Sequence, residues 1–232
     1  MTLYQRCLQS PVLLCSFRPF FIFTASSAIL FMAFWLLVLQ GWLPLAEVSG
    51  GWTLWHAHEL LFGFAAAATA GFALTAIPEF THTGFMAARP LLHMSLLWLA
   101  ARLAYLLAAW LTPWPALLLN LAFWAFLLWR IVPPTWQDPE RRHISFPLAV
   151  LALAVLQSGF FISLELHGTA LNWLYAAAHL FMVLIILAAS RVSMSVVNNL
   201  VESDRSISDP DAGPLFADGA EPHKSGTIYV LR

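Results

Sequence analysis

Six apolar runs, each long enough to cross a bilayer, constrain this chain more than any other feature. A membrane-crossing helix needs roughly 20 mostly apolar residues. Such runs lie near Phe20–Leu39, His56–Ile77, Leu91–Trp110, Pro115–Ile131, Phe146–Leu166 and Ala170–Ser190. The expected fold class is therefore all-α, a polytopic transmembrane bundle of about six helices with a disordered C-terminal tail. Composition agrees, because only 10% of residues are charged and 60% are hydrophobic, against about 25% charged in a soluble domain. A net charge of −1 leaves no basic excess for a phosphate backbone, so nucleic acid is excluded as a partner. Cys7 and Cys15 fit neither CxxC nor a thiolate cluster.

Arg and Lys positions predict orientation. Arg6 and Arg18 precede the first run, Arg89 lies between the second and third, and Arg130, Arg141 and Arg142 bracket the link between the fourth and fifth. Arg191, Arg205, Lys224 and Arg232 follow the sixth, whereas the alternate loops (40–55, 111–114 and 167–169) carry no Arg or Lys. Both termini are expected to be cytoplasmic, in a multi-pass protein of a bacterial inner membrane. Arg18 and Pro19 sit directly before a full-length run with no small-residue cleavage site after it, so the first span is expected to remain as an anchor. Beyond Leu200 come Glu202, Asp204, Asp209, Asp211, Asp218 and Glu221, interspersed with Pro210, Pro214 and Pro222, a composition expected of a solvated tail. The predicted organisation is a cytoplasmic segment 1–19, a membrane domain 20–191 and an acidic tail 192–232.

Ionisable side chains inside spans cost a few kcal/mol each, so each needs a partner, a cavity or a ligand. They are His56, His58, Glu59, Arg102, Glu165 and His179, accompanied by Asn120, Gln157 and Asn172. Trp55-His56-Ala57-His58-Glu59 is the densest group, and its order is HxHE, not the HExxH of a zincin. At ~100° per residue, His56 and Glu59 share a face with Gly63, Ala66, Ala67 and Ala70, while His58 points away above Phe62, Ala65 and Thr69. On a regular helix the two imidazoles therefore serve different sites, unless His56 belongs to the entering loop. The small-residue face suits close approach of a helix or of a flat cofactor. Imidazoles suit borderline metals and haem iron.

His179 lies on a stripe with Asn172, Tyr175 and Met182, and reads as a hydrogen-bonded histidine between helices or as an axial ligand. Arg102 shares a face with Ser95, Trp98 and Tyr105 and must meet an anion. Glu59, Glu165, a haem propionate and an anionic substrate are the alternatives. His167 could join His56 and His58 in a three-imidazole copper or zinc site. His82, His93, His143 and His223 fall on the cytoplasmic side by the charge rule. There is no CxxCH, P-loop, GxGxxG after a strand, or GxSxG, and whether the chain is an enzyme stays open.

Phe17-Arg18-Pro19-Phe20-Phe21, then Trp55 to Phe64 (WHAHELLFGF) and Ala70 to Pro78 (AGFALTAIP), resemble the NnrS family of bacterial inner-membrane proteins. Arg102, within Leu99-Ala100-Ala101-Arg102-Leu103-Ala104, also resembles that family's third span. The resemblance implies binding of haem and copper, and a part in resistance to nitric oxide and nitrosative stress accompanying denitrification. His56, His58 and Glu59 are the leading cofactor-site residues by motif. Arg102 is a candidate for orienting an anionic group, and His179 and His167 join from the residue pattern alone. Family members of about twelve spans are roughly twice this length. The resemblance thus places this chain on an N-terminal half, with the remaining ligands coming from a second copy or another half-length membrane protein. The competing expectations are an electron-transferring cytochrome b-like subunit, and a cofactor-free scaffold or truncated remnant.

Overall fold

The computed structural model describes residues 5, 8–43, 47–138, 143–166 and 168–208. The chain divides into two units, Met1–Leu184 and Ile185–Arg232. After a 3-10 turn at Pro11–Leu14 come α1 (Phe17–Leu39), α2 (Trp52–Phe80), α3 (Ala88–Leu106, closed by a 3-10 turn at Leu107–Ala109), α4 (Trp114–Gln137), α5 (Ser145–Glu165) and α6 (Ala170–Ser208). Six of these helices are long and apolar enough to span a membrane, and the described residues contain no strand. Helices are the form such runs must take, because hydrocarbon offers no water to a backbone N–H or C=O.

Polar backbone chemistry inside the spans is settled locally. The hydroxyls of Thr24, Ser27, Thr69, Thr75, Ser95 and Ser158 each donate to the carbonyl four residues earlier. Glycines supply the breaks: Gly41 takes φ 69° just after α1, and Gly50 and Gly51 take φ 88° and 86° just before α2, a region costly for other residues. Pro78, Pro133 and Pro134 lie inside helices, so α4 runs on past Ile131, where the apolar run ends.

Within the first unit, α2 packs on α1 and α4, α3 on α4, and α4 on α5. Its core is aromatic and close-packed: Phe20, Phe62, Tyr105, Phe123, Trp124, Phe160 and Phe161 are all buried. Gly63 and Gly71 on α2 face α1, where an added Cβ would lie 2.6 Å from the Phe31 ring and 3.0 Å from Phe20 Cβ respectively. The small-residue face of α2 thus serves helix packing. In the same unit the start of α6 meets α5 through Trp173, whose ring lies 2.5 Å from where a Cβ on Gly159 would stand and whose Nε1 donates to Ser163 Oγ at 2.7 Å. Exposed Phe21, Ile22, Ile29 and Leu30 on α1 suit contact with lipid tails. The sixth helix continues to Ser208, into the stretch expected to be a tail, and residues 209–232 lie outside the described residues.

Candidate functional site

The WHAHE segment opens α2, and its last two residues sit at the centre of a buried polar network. At Glu59 the helix changes character, with a π-helical stretch over Glu59–Ala65 between α-helical Trp52–His58 and Ala66–Phe80. Such widened turns recur at functional sites because they displace side chains and carbonyls from regular α positions. Here the Gly63 carbonyl accepts a hydrogen bond from Trp98 Nε1 at 3.2 Å. Gly63 itself leaves the space that Glu59 needs, since a Cβ there would lie 2.9 Å from Glu59 Oε2. Gly63→Ala is expected to cost about 1–3 kcal/mol, measured by denaturant unfolding in detergent; unchanged stability would mean that Phe31 and Glu59 yield without cost.

His58 and Glu59 are fully buried, and Arg102, Asn120 and Gln157 nearly so. Arg102 Nη1 stands 3.4 and 3.3 Å from the two Glu59 oxygens, and its Nη2 donates to Asn120 Oδ1. Of the two carboxylates open to Arg102 from sequence, the structure pairs it with Glu59. The guanidinium also lies 5.8 Å from the Trp98 ring centre. Its Nε is buried without a partner. Asn120 in turn donates from Nδ2 to the Ala116 carbonyl at 2.8 Å.

On the other side of Glu59, Oε1 lies 3.0 Å from His58 Nδ1, and His58 Nε2 lies 3.0 Å from Gln157 Nε2. Trp124 Nε1 donates to Gln157 Oε1. An indole N–H only donates, so this contact fixes the Gln157 amide with its NH2 toward His58. A carboxylate paired with Arg102 accepts, so His58 donates from Nδ1 and accepts at Nε2. The imidazole is thereby held as a neutral Nδ1–H tautomer, with both nitrogens engaged. Phe62, Tyr105, Phe160 and Phe161 surround it at ring-centre distances of 4.8 to 5.1 Å. The network ties α2, α3, α4 and α5 together.

The other histidines stand apart from it. His56 is half-buried, stacks on Trp35 of α1 at 4.2 Å with planes 9° apart, and keeps a buried Nδ1 without a partner. The two imidazoles of the motif therefore face different helices, as the spacing on a regular helix predicts. His179 is exposed, and its Nδ1 donates to the Tyr175 carbonyl at 2.7 Å, which leaves Nε2 open. Asn172 is also exposed and donates to Thr169 Oγ1 at 3.3 Å. His167 lies outside the described residues, so of the three-imidazole cluster only His56 and His58 are placed. Among the described residues no three His, Cys, Asp or Glu side chains come together as metal ligands.

In the sequence Gln157 and Asn120 stand only as uncharged company and Trp98 only as a residue on the face of Arg102, while nothing there singles out Trp124. Their hydrogen bonds across the network join residues 18 to 99 positions apart, and no local spacing signals them.

A profile of the family described as NnrS protein matches residues 11–216. No curated protein and no solved structure matches the chain.

Proposed function

The chain belongs to the NnrS family, and from that premise we propose that it is a haem- and copper-associated protein of the bacterial inner membrane that serves in resistance to nitric oxide and nitrosative stress during denitrification. Family membership and the six spans carry the coarser statement, a multi-pass NnrS-like membrane protein in contact with the bilayer. Both termini are assigned to the cytoplasm by the Arg and Lys distribution.

His58 does not fit as a ligand in this arrangement. Its Nε2 is taken by Gln157, and ring contacts leave no gap for a macrocycle beside it. Releasing Nε2 would strand the Gln157 amide in a dry interior, at a cost of about 1–3 kcal/mol. His56 and His179 fit better, and the observation that carries the reading is the Nε2 that exposed His179 leaves open, while His56 keeps an unpartnered Nδ1 that is buried beside the Trp35 ring. Haem or copper, when bound, supplies the affinity for nitric oxide and the electron chemistry. The chain's own residues then divide in role. His56 on α2 and His179 on α6 offer imidazole donors, while Glu59, Arg102, His58 and Gln157 hold α2 to α3, α4 and α5 so that His56 is presented on a rigid frame. One imidazole does not complete a coordination sphere, so further ligands are assigned to a second copy or to another membrane protein.

A cofactor-free scaffold is the second reading, favoured by the saturation of the His58 network. Absorption spectra of the oxidised and reduced protein, with metal analysis after expression in haem- and copper-replete cells, separate the two. A haem band and bound copper, lowered by His56→Ala or His179→Ala, are expected. A folded protein that is colourless and metal-free would overturn the cofactor reading and leave the scaffold.

A further inference from the structure

A second feature lies at the other end of α2, away from the motif. A cavity of about 330 Å³ opens where α2 and α4 finish, walled by Leu74, Pro78, Trp129, Arg130, Pro133 and Pro134. Thr83 and Gln137 add a hydroxyl and an amide to its lining. This is the end of the bundle where α1 and α3 begin with Arg18 and Arg89. Trp129 and Trp136 are exposed there, as indole rings are at the headgroup level of a bilayer.

Among the described residues, Arg130 is the only charged one in the cavity wall. Its guanidinium stands over the Trp129 ring at 5.7 Å, and its Nε is buried without a hydrogen-bond partner. Among the described residues no carboxylate pairs with it. A guanidinium so placed calls for an anion, and phosphate oxygens match its fork of donors.

The prolines supply the opposite polarity. A proline has no N–H to give to the carbonyl four residues before it. Pro78, Pro133 and Pro134 lie inside their helices and so remove the donors for the carbonyls of Leu74, Trp129 and Arg130. All three residues line the cavity. The Thr135 hydroxyl bonds to the carbonyls of Ile131 and Val132, four and three residues earlier, and so supplies no donor to those of Trp129 and Arg130. One small space at headgroup depth therefore combines an unpaired guanidinium with three acceptor-rich backbone positions. A group that is both anionic and rich in N–H donors satisfies the two together.

We propose that this cavity binds a phosphate ester carrying a primary ammonium group, of the phosphoethanolamine class, with its phosphate on Arg130 and its ammonium at the carbonyls left open by the three prolines. The volume lies at the small end of ligand pockets and suits a headgroup. The same chemistry is offered by a membrane phosphatidylethanolamine or by a soluble phosphoethanolamine.

Native mass spectrometry of the full chain in detergent, titrated separately with short-chain phosphatidylethanolamine, short-chain phosphatidylglycerol and free phosphoethanolamine, tests this. One bound phosphatidylethanolamine per chain is expected, preferred over phosphatidylglycerol, and weakened roughly tenfold by Arg130→Gln. Pro134→Ala returns an N–H to the Arg130 carbonyl and removes a helix breaker, so it tests the ammonium subsite in a chain at least as well folded. It should erode the preference for phosphatidylethanolamine while leaving phosphatidylglycerol binding intact. Binding of free phosphoethanolamine with the same Arg130 dependence would identify a soluble ligand, and binding of the lipid alone a membrane one. Equal binding by Arg130→Gln and the parent chain would overturn the site. Equal affinity for the two lipids in the parent, unaltered by Pro134→Ala, would overturn the ammonium assignment.

Discussion

Arg102→Leu is expected to destabilise the bundle by about 3–5 kcal/mol, the largest effect of any single substitution in the network. The cost does not come from the loss of a favourable pair as such. Removing the guanidinium leaves Glu59 charged, fully buried and facing only the His58 N–H, while Asn120 Oδ1 loses its donor. Water cannot reach either group to compensate. The double variant Glu59→Leu/Arg102→Leu removes both charges and is expected to be less damaging than the sum of the two single changes. Denaturant unfolding in mixed micelles measures the cycle. A loss below about 1 kcal/mol for Arg102→Leu would mean that the pair is solvated or that the lattice of contacts around it relaxes.

His58→Leu is expected to cost about 2–4 kcal/mol, for a different reason. Leucine fills nearly the same space among Phe62, Tyr105, Phe160 and Phe161, so a cavity is not the cause. The Gln157 NH2 is orphaned instead, and Glu59 Oε1 is left with only the longer contact to Arg102 Nη1 at 3.4 Å. His58→Gln offers an amide that can donate toward Glu59 and accept from Gln157, and is expected to recover at least half of the loss. Because His58 is proposed to hold the frame and not the cofactor, both variants should keep whatever haem or copper the parent binds as long as they remain folded. Loss of cofactor from folded His58→Gln would contradict that division of roles.

Length and apolarity made the six spans legible, because a bilayer of fixed thickness imposes a minimum run and excludes every backbone form but the helix for single crossings. The site was legible in its charges and not in its geometry. Glu59 and Arg102 stand out in the sequence because ionisable groups inside spans are costly. That the partner is Glu59 and not Glu165 depends on which faces α2 and α3 present to each other, and on the extra room that Gly63 gives the carboxylate. The π-helical stretch at Glu59–Ala65 carries no composition of its own. Divergence of His56 and His58 was foreseeable from helical spacing, but the Trp35 ring that covers His56 comes from another helix. Pro133 and Pro134, which ordinarily end a helix, sit inside α4, since the helix there is held by its packing against α2, α3 and α5.

The central claim, that His58 is committed on both nitrogens to the network joining four helices, is tested most directly by the 15N NMR spectrum of histidine-labelled protein, with His58 assigned through the His58→Gln variant. The expected spectrum has a protonated Nδ1 and a bare, hydrogen-bonded Nε2, unaltered when haem or copper is supplied. A protonated Nε2, or a His58 signal that shifts or broadens on addition of haem or copper, would contradict it.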